Sequence, residues 1–495
     1  MLDNTMLESE KSYRWAFFFC ACCAMVPLWS IKYPPMVDLP QHAAQVFMWK
    51  HFDNPAYDFK ETYYLKYSSP YFVGYVLARF FAVFLPIHAA MKAAISLVFL
   101  ALPLTMDRLL KTAGADRWWA LLGFPLAYSF AFHWGFFNFI VAVPAGVAFV
   151  WASWLYARGP TRRSGLVVSL LALILYYCHA LVFGVCIAAV GLLLLASIAG
   201  GLKEKVIGVL PLVPPVAAIG VWVLTLRSTD ESTGTQTLWS ENTWQRVLDM
   251  PSILLGGGQV KDGWWIGGFI LFLLPFVFGT LRRRPGWLWL PALVATVIFF
   301  AMPNRTLGTW FVYQRLAVFI PIFLLVAVAP AASAARRRWG RATLIAFVVG
   351  WMAFLTVQFQ PIGEEGRQFD ELLDRMEPNK KVLGLVFDPG TGYATGLPVF
   401  GHFFSWYQAQ KGGRSEFSFA IAFPQLVQYR EGRGPIANPQ LSLHPDRFNW
   451  QRDGLFDYFL VRGDGNPGAF LFREADAPVV LEGRAGDWWL FQRLE

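Results

Sequence analysis

The chain has 495 residues, 56% of them hydrophobic and only 15% charged, with a mean hydropathy of +0.42. Soluble domains run near a quarter charged, so a wholly soluble protein is excluded and the composition is that of a membrane protein. The net charge of +9 does not point to nucleic acid, because much of the Arg and Lys lies in short clusters between apolar segments, as the positive-inside rule demands of cytoplasmic loops.

The 22 Trp and 45 Phe suit interfacial belts and lipid-facing helices. The five cysteines, Cys20, Cys22, Cys23, Cys178 and Cys186, lie inside apolar segments. They give neither a disulfide framework nor a zinc spacing and read as helix packing.

Residues Met1–Ser12 are polar and expected on the cytoplasmic side. Tyr13–Ile31 is long enough to cross, since roughly 20 apolar residues span a bilayer, and without a small-residue cleavage site it reads as an uncleaved anchor. With Lys11 and Arg14 inside, its far end emerges on the extracytoplasmic side. The first outer loop, 32–87, then gathers acids, a histidine, aromatics and prolines. If Pro40 opens a helix, Asp38 stands near the cap and His42 one turn on. A carboxylate there faces the positive end of the helix dipole. The pair reads either as a base or metal ligand in a transfer reaction, or as an N-cap aspartate with an ordinary exposed histidine. Glu61, Lys66 and the Ser69-Pro70-Tyr71 turn follow in the same loop.

Charge clusters at Arg158–Arg163, Arg282–Arg284 and Arg336–Arg341 belong inside. The parity of crossings then makes Tyr71–Pro86 an interfacial or re-entrant segment and His88–Leu110, Trp118–Phe132 and Phe139–Trp154 spans. Further spans fall at Leu166–Tyr177, Leu181–Ile198, Val206–Leu226, Trp264–Leu281, Trp287–Met302, Leu316–Ala332 and Leu344–Val357, about eleven in all. Three groups on the outer face are candidates, since ionisable residues at membrane depth or in lipid-facing cavities are functional by default. His133 to Asn138 (HWGFFN) combines aromatics and an amide that suit a sugar, or is an interfacial belt with a helix break at Gly135. His179, near an outer helix end, is functional or structural. Arg305 with Tyr313, Gln314 and Arg315 places cations outside, where guanidinium forks match phosphate oxygens or pair with acids of an outer domain. Gly256–Gly258 lacks the lysine of a phosphate loop and reads as a flexible loop; Asp230, Glu231 and Glu241 nearby read as a solvated edge.

From Gln358 charges, glycines and prolines reach soluble-domain density. The chain therefore divides into a transmembrane part, 1–358, and an extracytoplasmic α/β domain, 359–495. Lys381–Phe387 and Tyr458–Arg462 read as buried strands. Pro478–Glu482 and Trp488–Arg493 read as a hairpin, and Phe404–Gln410 as a helix stopped by Gly412–Gly413.

This arrangement resembles the GT-C superfamily of membrane glycosyltransferases of the mannosyl- and arabinosyl-transferase kind. The resemblance rests on the acid early in the first outer loop (Val37-Asp38-Leu39-Pro40-Gln41-His42), the Ser69-Pro70-Tyr71 turn into an interfacial helix, the multi-span core and the C-terminal outer domain. It implies a GT-C-like helical polytopic fold in a bacterial-type inner (plasma) membrane and an inverting transfer in the cell envelope. The donor would be a polyprenyl-phosphate sugar and the acceptor a glycan, lipid or protein. Asp38 would serve as base or as ligand of a divalent cation, Mg or Mn, with His42 beside it. Glu61, Lys66, Tyr71, His133, Asn138, His179, Arg305, Tyr313 and Arg315 would line the substrate. The family's common acidic pair is missing, because Leu39 follows Asp38; Glu61 is the nearest second acid in the sequence. The competing expectation is a non-catalytic membrane protein, a lipid-linked glycan transporter or an assembly scaffold. A transporter should carry polar groups near mid-bilayer on broken helices, whereas the mid-segment positions here are nearly all apolar.

Overall fold

The computed structural model describes residues 2–227, 237–239, 242–257, 262–282, 286–306, 309–390, 396–421, 425–436, 441–442 and 444–494. Asp230, Glu231, Glu241 and Gly258 of the polar loop, and Arg283 and Arg284 of the basic cluster, lie outside the described residues.

Among the described residues, five helices are long and apolar enough to cross a bilayer: Ile87–Ala113, Phe137–Arg158, Ala180–Ser197, Leu202–Leu224 and Ala334–Arg375. Shorter apolar helical runs cover Gly263–Phe278, Gly286–Ala301 and Val312–Ala327. Helix Leu2–Trp29 contains most of the first predicted span, and Arg162–Cys178 contains the one at Leu166–Tyr177. The chain is thus a multi-pass helical membrane protein with a small C-terminal sheet domain, the architecture expected from its sequence.

Two predicted elements take a different form. Trp118–Phe132 is broken into a 3-10 turn, Arg117–Leu122, and two short helices, Gly123–Ala127 and Phe130–Trp134. Asp116 caps the turn by accepting from Trp118 N at 3.2 Å, and Pro125 falls in the middle of the run. Every residue from 118 to 132 is buried, the setting in which irregular backbone is tolerated at membrane depth. The helix that holds the last predicted span runs on past Val357, as one element from Ala334 to Arg375. Its 42 residues make about 63 Å at 1.5 Å per residue, twice a hydrocarbon core. The charged stretch after Gln358 stays helical because Ile362, Glu365, Phe369, Leu372 and Met376 recur at helical spacing on one buried face.

Tyr71–Pro86 contains a helix of nine residues, Val73–Phe81. At about 14 Å it reaches only half-way across the hydrocarbon. It buries Gly74, Tyr75 and Ala78 and exposes Val76 and Phe80, as a helix lying on an apolar boundary does.

The chain forms two compact units. The first comprises Met1–Val26, Ser96–Phe132 and Asn138–Phe354; the second comprises Pro27–Ile95, His133–Phe137 and Leu355–Glu495. The second unit therefore draws together the loop after the first helix, a five-residue turn and the C-terminal segment, where the sequence drew a single line near Gln358.

Strands of the second unit are β1 Tyr63–Leu65, β2 Lys381–Val386, β3 Arg414–Ser415, β4 Val427–Tyr429, β5 Tyr458–Arg462, β6 Val479–Ala485 and β7 Trp488–Arg493. A mixed sheet runs β6-β7-β5-β2-β3, with β2 parallel to β5 and β3 and the β6–β7 hairpin antiparallel. Its strands alternate or run apolar as the sequence indicated, and the turn is tighter than expected. Leu383, Leu385, Phe459, Val461, Trp489 and Phe491 bury one core with Trp450 and Phe456. Helix Ser405–Lys411 stops at Gly412, whose φ is 75°. A separate ribbon pairs β1 with β4, so the first loop and the C-terminal segment share backbone hydrogen bonds.

Candidate active site

Asp38 precedes helix Leu39–Lys50, and Pro40 fills its first turn as the sequence suggested. The carboxylate makes no capping hydrogen bond to that helix, so the plain N-cap role does not account for it. Its backbone is fixed by the turn of the second unit formed by His133–Phe137. Val37 N donates to His133 O at 3.2 Å and Asp38 N donates to Trp134 O at 3.0 Å. Gly135 makes this approach possible. Its φ of +87° suits glycine, and a Cβ there would lie 2.5 Å from Asp38 N and 2.9 Å from Leu39 N.

The Asp38 side chain is buried, and so is the imidazole that faces it. His402 Nε2 lies 3.6 Å from Asp38 Oδ1, with residue exposures of 8% and 7%. His402 stacks on Phe417 at 4.9 Å between ring centroids and 20° between planes. Burial pushes its pKa down to about 4, so the ring is neutral at pH 7. Among the described residues its Nδ1 has no hydrogen-bond partner.

His42 is buried, not an exposed histidine. Its Nδ1 lies 2.7 Å from Tyr75 OH, and Tyr75 donates in turn to Gln425. With the phenol proton engaged by Gln425, His42 donates from Nδ1 to the phenol oxygen. Phe419 closes on the ring edge-on at 5.2 Å. Along the same helix Gln41 and Gln45, one turn apart, act as substitute backbone. Gln41 Nε2 donates to Ser405 Oγ at 2.7 Å and Phe417 O at 3.1 Å, and its Oε1 accepts from Phe419 N at 3.0 Å. Gln45 pairs both polar groups of Val427 on β4, at 3.1 and 2.7 Å.

Glu61 is exposed on the short helix Phe59–Thr62. Lys66 is partly buried, and burial lowers its pKa; its backbone N donates to Leu426 O at 2.8 Å. Tyr71 is half-buried, with its N–H on Ser69 Oγ at 3.1 Å. His133 is fully buried, edge-on to Phe359 at 5.8 Å.

The remaining candidates belong to the first unit. Asn138 is buried, and its amide atoms have no hydrogen-bond partner among the described residues. His179 caps helix Ala180–Ser197 by accepting from Leu181 N at 3.2 Å. Arg305 lies over Trp310, 4.6 Å from the ring centroid. Gln314 donates to Asn304 Oδ1 at 2.8 Å. Arg315 is buried and donates to Trp310 O at 2.7 Å. Tyr313 is covered by Arg246, whose guanidinium carbon sits 4.1 Å from the ring centroid. Arg246 also donates to the carbonyls of Phe299, Phe300 and Met302 at 2.9–3.0 Å, closing the C-terminal end of helix Leu290–Ala301.

Sequence reasoning passed over His402, Gln41, Gln45, Tyr75 and Arg246. Only Gln41 stands in a quoted motif, where it was given no role; for Gln41 and Gln45 the i, i+4 spacing of two amides on an otherwise apolar helix face was the available signal.

Among the described residues no three His, Cys, Asp or Glu side chains are grouped to hold a metal. Magnesium and manganese prefer several oxygen ligands. Asp38 would bring one carboxylate to such a set, with the His402 imidazole facing it.

A polytopic helical frame, a buried carboxylate just after the first helix and a C-terminal sheet domain are the features a comparison of folds has to match. The cryo-EM structure of arabinofuranosyltransferase AftD from Mycobacteria matches 97% of this chain with a TM-score of 0.54 at 12% identity, a likeness of fold. The match takes in 40% of that chain, so this protein spans less than half of its length. No sequence family and no curated protein matches the chain.

Proposed function

We propose that this protein is an inverting membrane glycosyltransferase that moves a sugar from a polyprenyl-phosphate donor to a hydroxyl of an extracytoplasmic glycan, lipid or protein. The observation that carries this reading is Asp38. Its carboxylate is buried and faces the His402 imidazole, and the backbone of Val37 and Asp38 is held by two carbonyls of a glycine turn. Fixing a carboxylate in this way is how a general base is held in register.

In the proposed reaction the acceptor hydroxyl attacks the anomeric carbon from the face opposite the phosphate. Asp38 takes the hydroxyl proton as the new C–O bond forms. The bond from the anomeric carbon to the phosphate oxygen breaks, and polyprenyl phosphate leaves with the electron pair. The apolar helices would hold the prenyl tail. Arg305 and Arg315 are kept as the first unit's candidates for an anionic ligand, because arginine forks match phosphate oxygens.

The test uses the full chain in lipid nanodiscs and a panel of short-chain polyprenyl-phosphate sugars carrying arabinofuranose, mannose or glucose. Release of polyprenyl phosphate is followed. Asp38→Asn should lower turnover by about 10²–10⁴, the usual worth of a general base, with normal expression and unfolding temperature. A transporter or scaffold would keep its function in that variant, and full turnover in it would remove Asp38 as the base.

A further inference from the structure

Asp38 and His402 come from different segments of the second unit, Pro27–Ile95 and Leu355–Glu495, and nothing in the local fold of either requires them to meet. The helix that follows Asp38 is already aligned by Gln41 and Gln45, and the segment carrying His402 is already held by Ser405, which receives Gln41. The imidazole nevertheless stands with Nε2 3.6 Å from the carboxylate oxygen, its plane set by the stack on Phe417. A packing role alone would be filled by a phenyl ring, as Phe400, Phe403 and Phe404 are in the same stretch. A buried imidazole whose Nδ1 has no hydrogen-bond partner among the described residues costs stability that a phenyl ring would not, which directs attention to Nε2. The ring is neutral at pH 7 and presents one N–H, not a charge. Contacts of catalytic groups are commonly long in a resting enzyme and shorten once substrate binds.

We infer that His402 is a positioning residue for Asp38: its Nε2–H donates to Asp38 Oδ1 and fixes the plane of the carboxylate toward the acceptor hydroxyl. This rests on the reading of Asp38 as the base. In this role it acts through the carboxylate, as partners around catalytic groups do elsewhere.

Two substitutions separate positioning from packing. His402→Phe keeps the ring and its stack on Phe417 and removes the donor. His402→Gln gives up the ring and returns an N–H near the Nε2 position. With the donor that wild type turns over best, His402→Phe should lower kcat about 10–100-fold, the factor carried by one hydrogen bond to a charged group. KM should stay within about threefold, and His402→Gln should recover most of the loss. In an Asp38→Asn background, His402→Phe should lower kcat no further. A stability cycle on the same four proteins needs no substrate: the cost of His402→Phe in unfolding temperature should shrink once Asp38 is Asn. Equal kcat for wild type and His402→Phe, or a loss that Gln does not recover, overturns the positioning role. An active Asp38→Asn protein instead overturns the base, so the two failures are told apart.

Discussion

Around Asp38 the polar side chains reach across chain segments. Gln41 meets Ser405 and Phe417, Gln45 meets Val427, His42 meets Tyr75 and His402 faces Asp38. Around Arg315 in the first unit they turn to backbone carbonyls. Arg246 closes a helix end, and Arg315 bonds to Trp310 O five residues before it. Both regions bury charge and aromatic rings. In the first unit Arg246 finishes a helix backbone, which is architecture. Around Asp38 the backbone is finished by glutamine amides and a glycine turn, which leaves a carboxylate, two imidazoles and a phenol arranged against one another. A cluster of charged residues in the sequence is thus a weaker sign of chemistry than a charge whose supports are all supplied by other groups.

That contrast can be tested from both sides. Beyond Asp38 itself, the largest effect is expected at Gly135. Gly135→Ala would drive a methyl into Asp38 N and Leu39 N and impose strain at a positive φ, shifting the carboxylate. Turnover should fall by about 100-fold or more, since a displacement near 1 Å carries that factor. Wild-type turnover in this variant would mean that the turn does not position Asp38.

Arg246→Met should act on stability more than on catalysis. Loss of charged hydrogen bonds to Phe299, Phe300 and Met302 should cost about 2–3 kcal/mol, read as a lower unfolding temperature in detergent. A kcat loss comparable with that of Asp38→Asn, at unchanged stability, would place Arg246 in the chemistry and blur the contrast.

The smallest effect is a pH dependence. Glu416 is fully buried, accepts from Gly384 N at 3.1 Å, and burial raises its pKa from 4.5 to about 8, against the pull of backbone hydrogen bonds. The folded protein holds it neutral while the unfolded chain ionises it above about pH 4.5. Its contribution to stability is therefore full below that pH and is lost as pH rises toward about 8. Glu416→Gln should flatten the fall in unfolding temperature between pH 5 and 8. An unchanged slope would assign the dependence to other groups.

Much of the fold was legible. Apolar runs separated by basic clusters gave the multi-pass class, because hydrocarbon length and charge placement are constraints on composition. Lys381–Val386, Tyr458–Arg462 and the final hairpin were visible because buried strands are short apolar runs between turn residues. The broken run Trp118–Phe132 was not legible, since hydropathy reports burial and is blind to whether protein or lipid does the covering. The helix through Gln358–Arg375 was missed because its charges looked like the start of a soluble loop, while its apolar positions kept helical spacing.

By itself the sequence determined that the chain lives in a membrane, that most of its long apolar runs are helices, and that Asp38 is an acid placed just beyond the first of them. Only the tertiary structure decided what surrounds that acid. His402, Tyr75 and Gly135 matter through contacts between positions far apart in the chain. Periodicity encodes which face of an element is buried; it carries no record of the partner that buries it, and the partner is what turns a buried carboxylate into a candidate base.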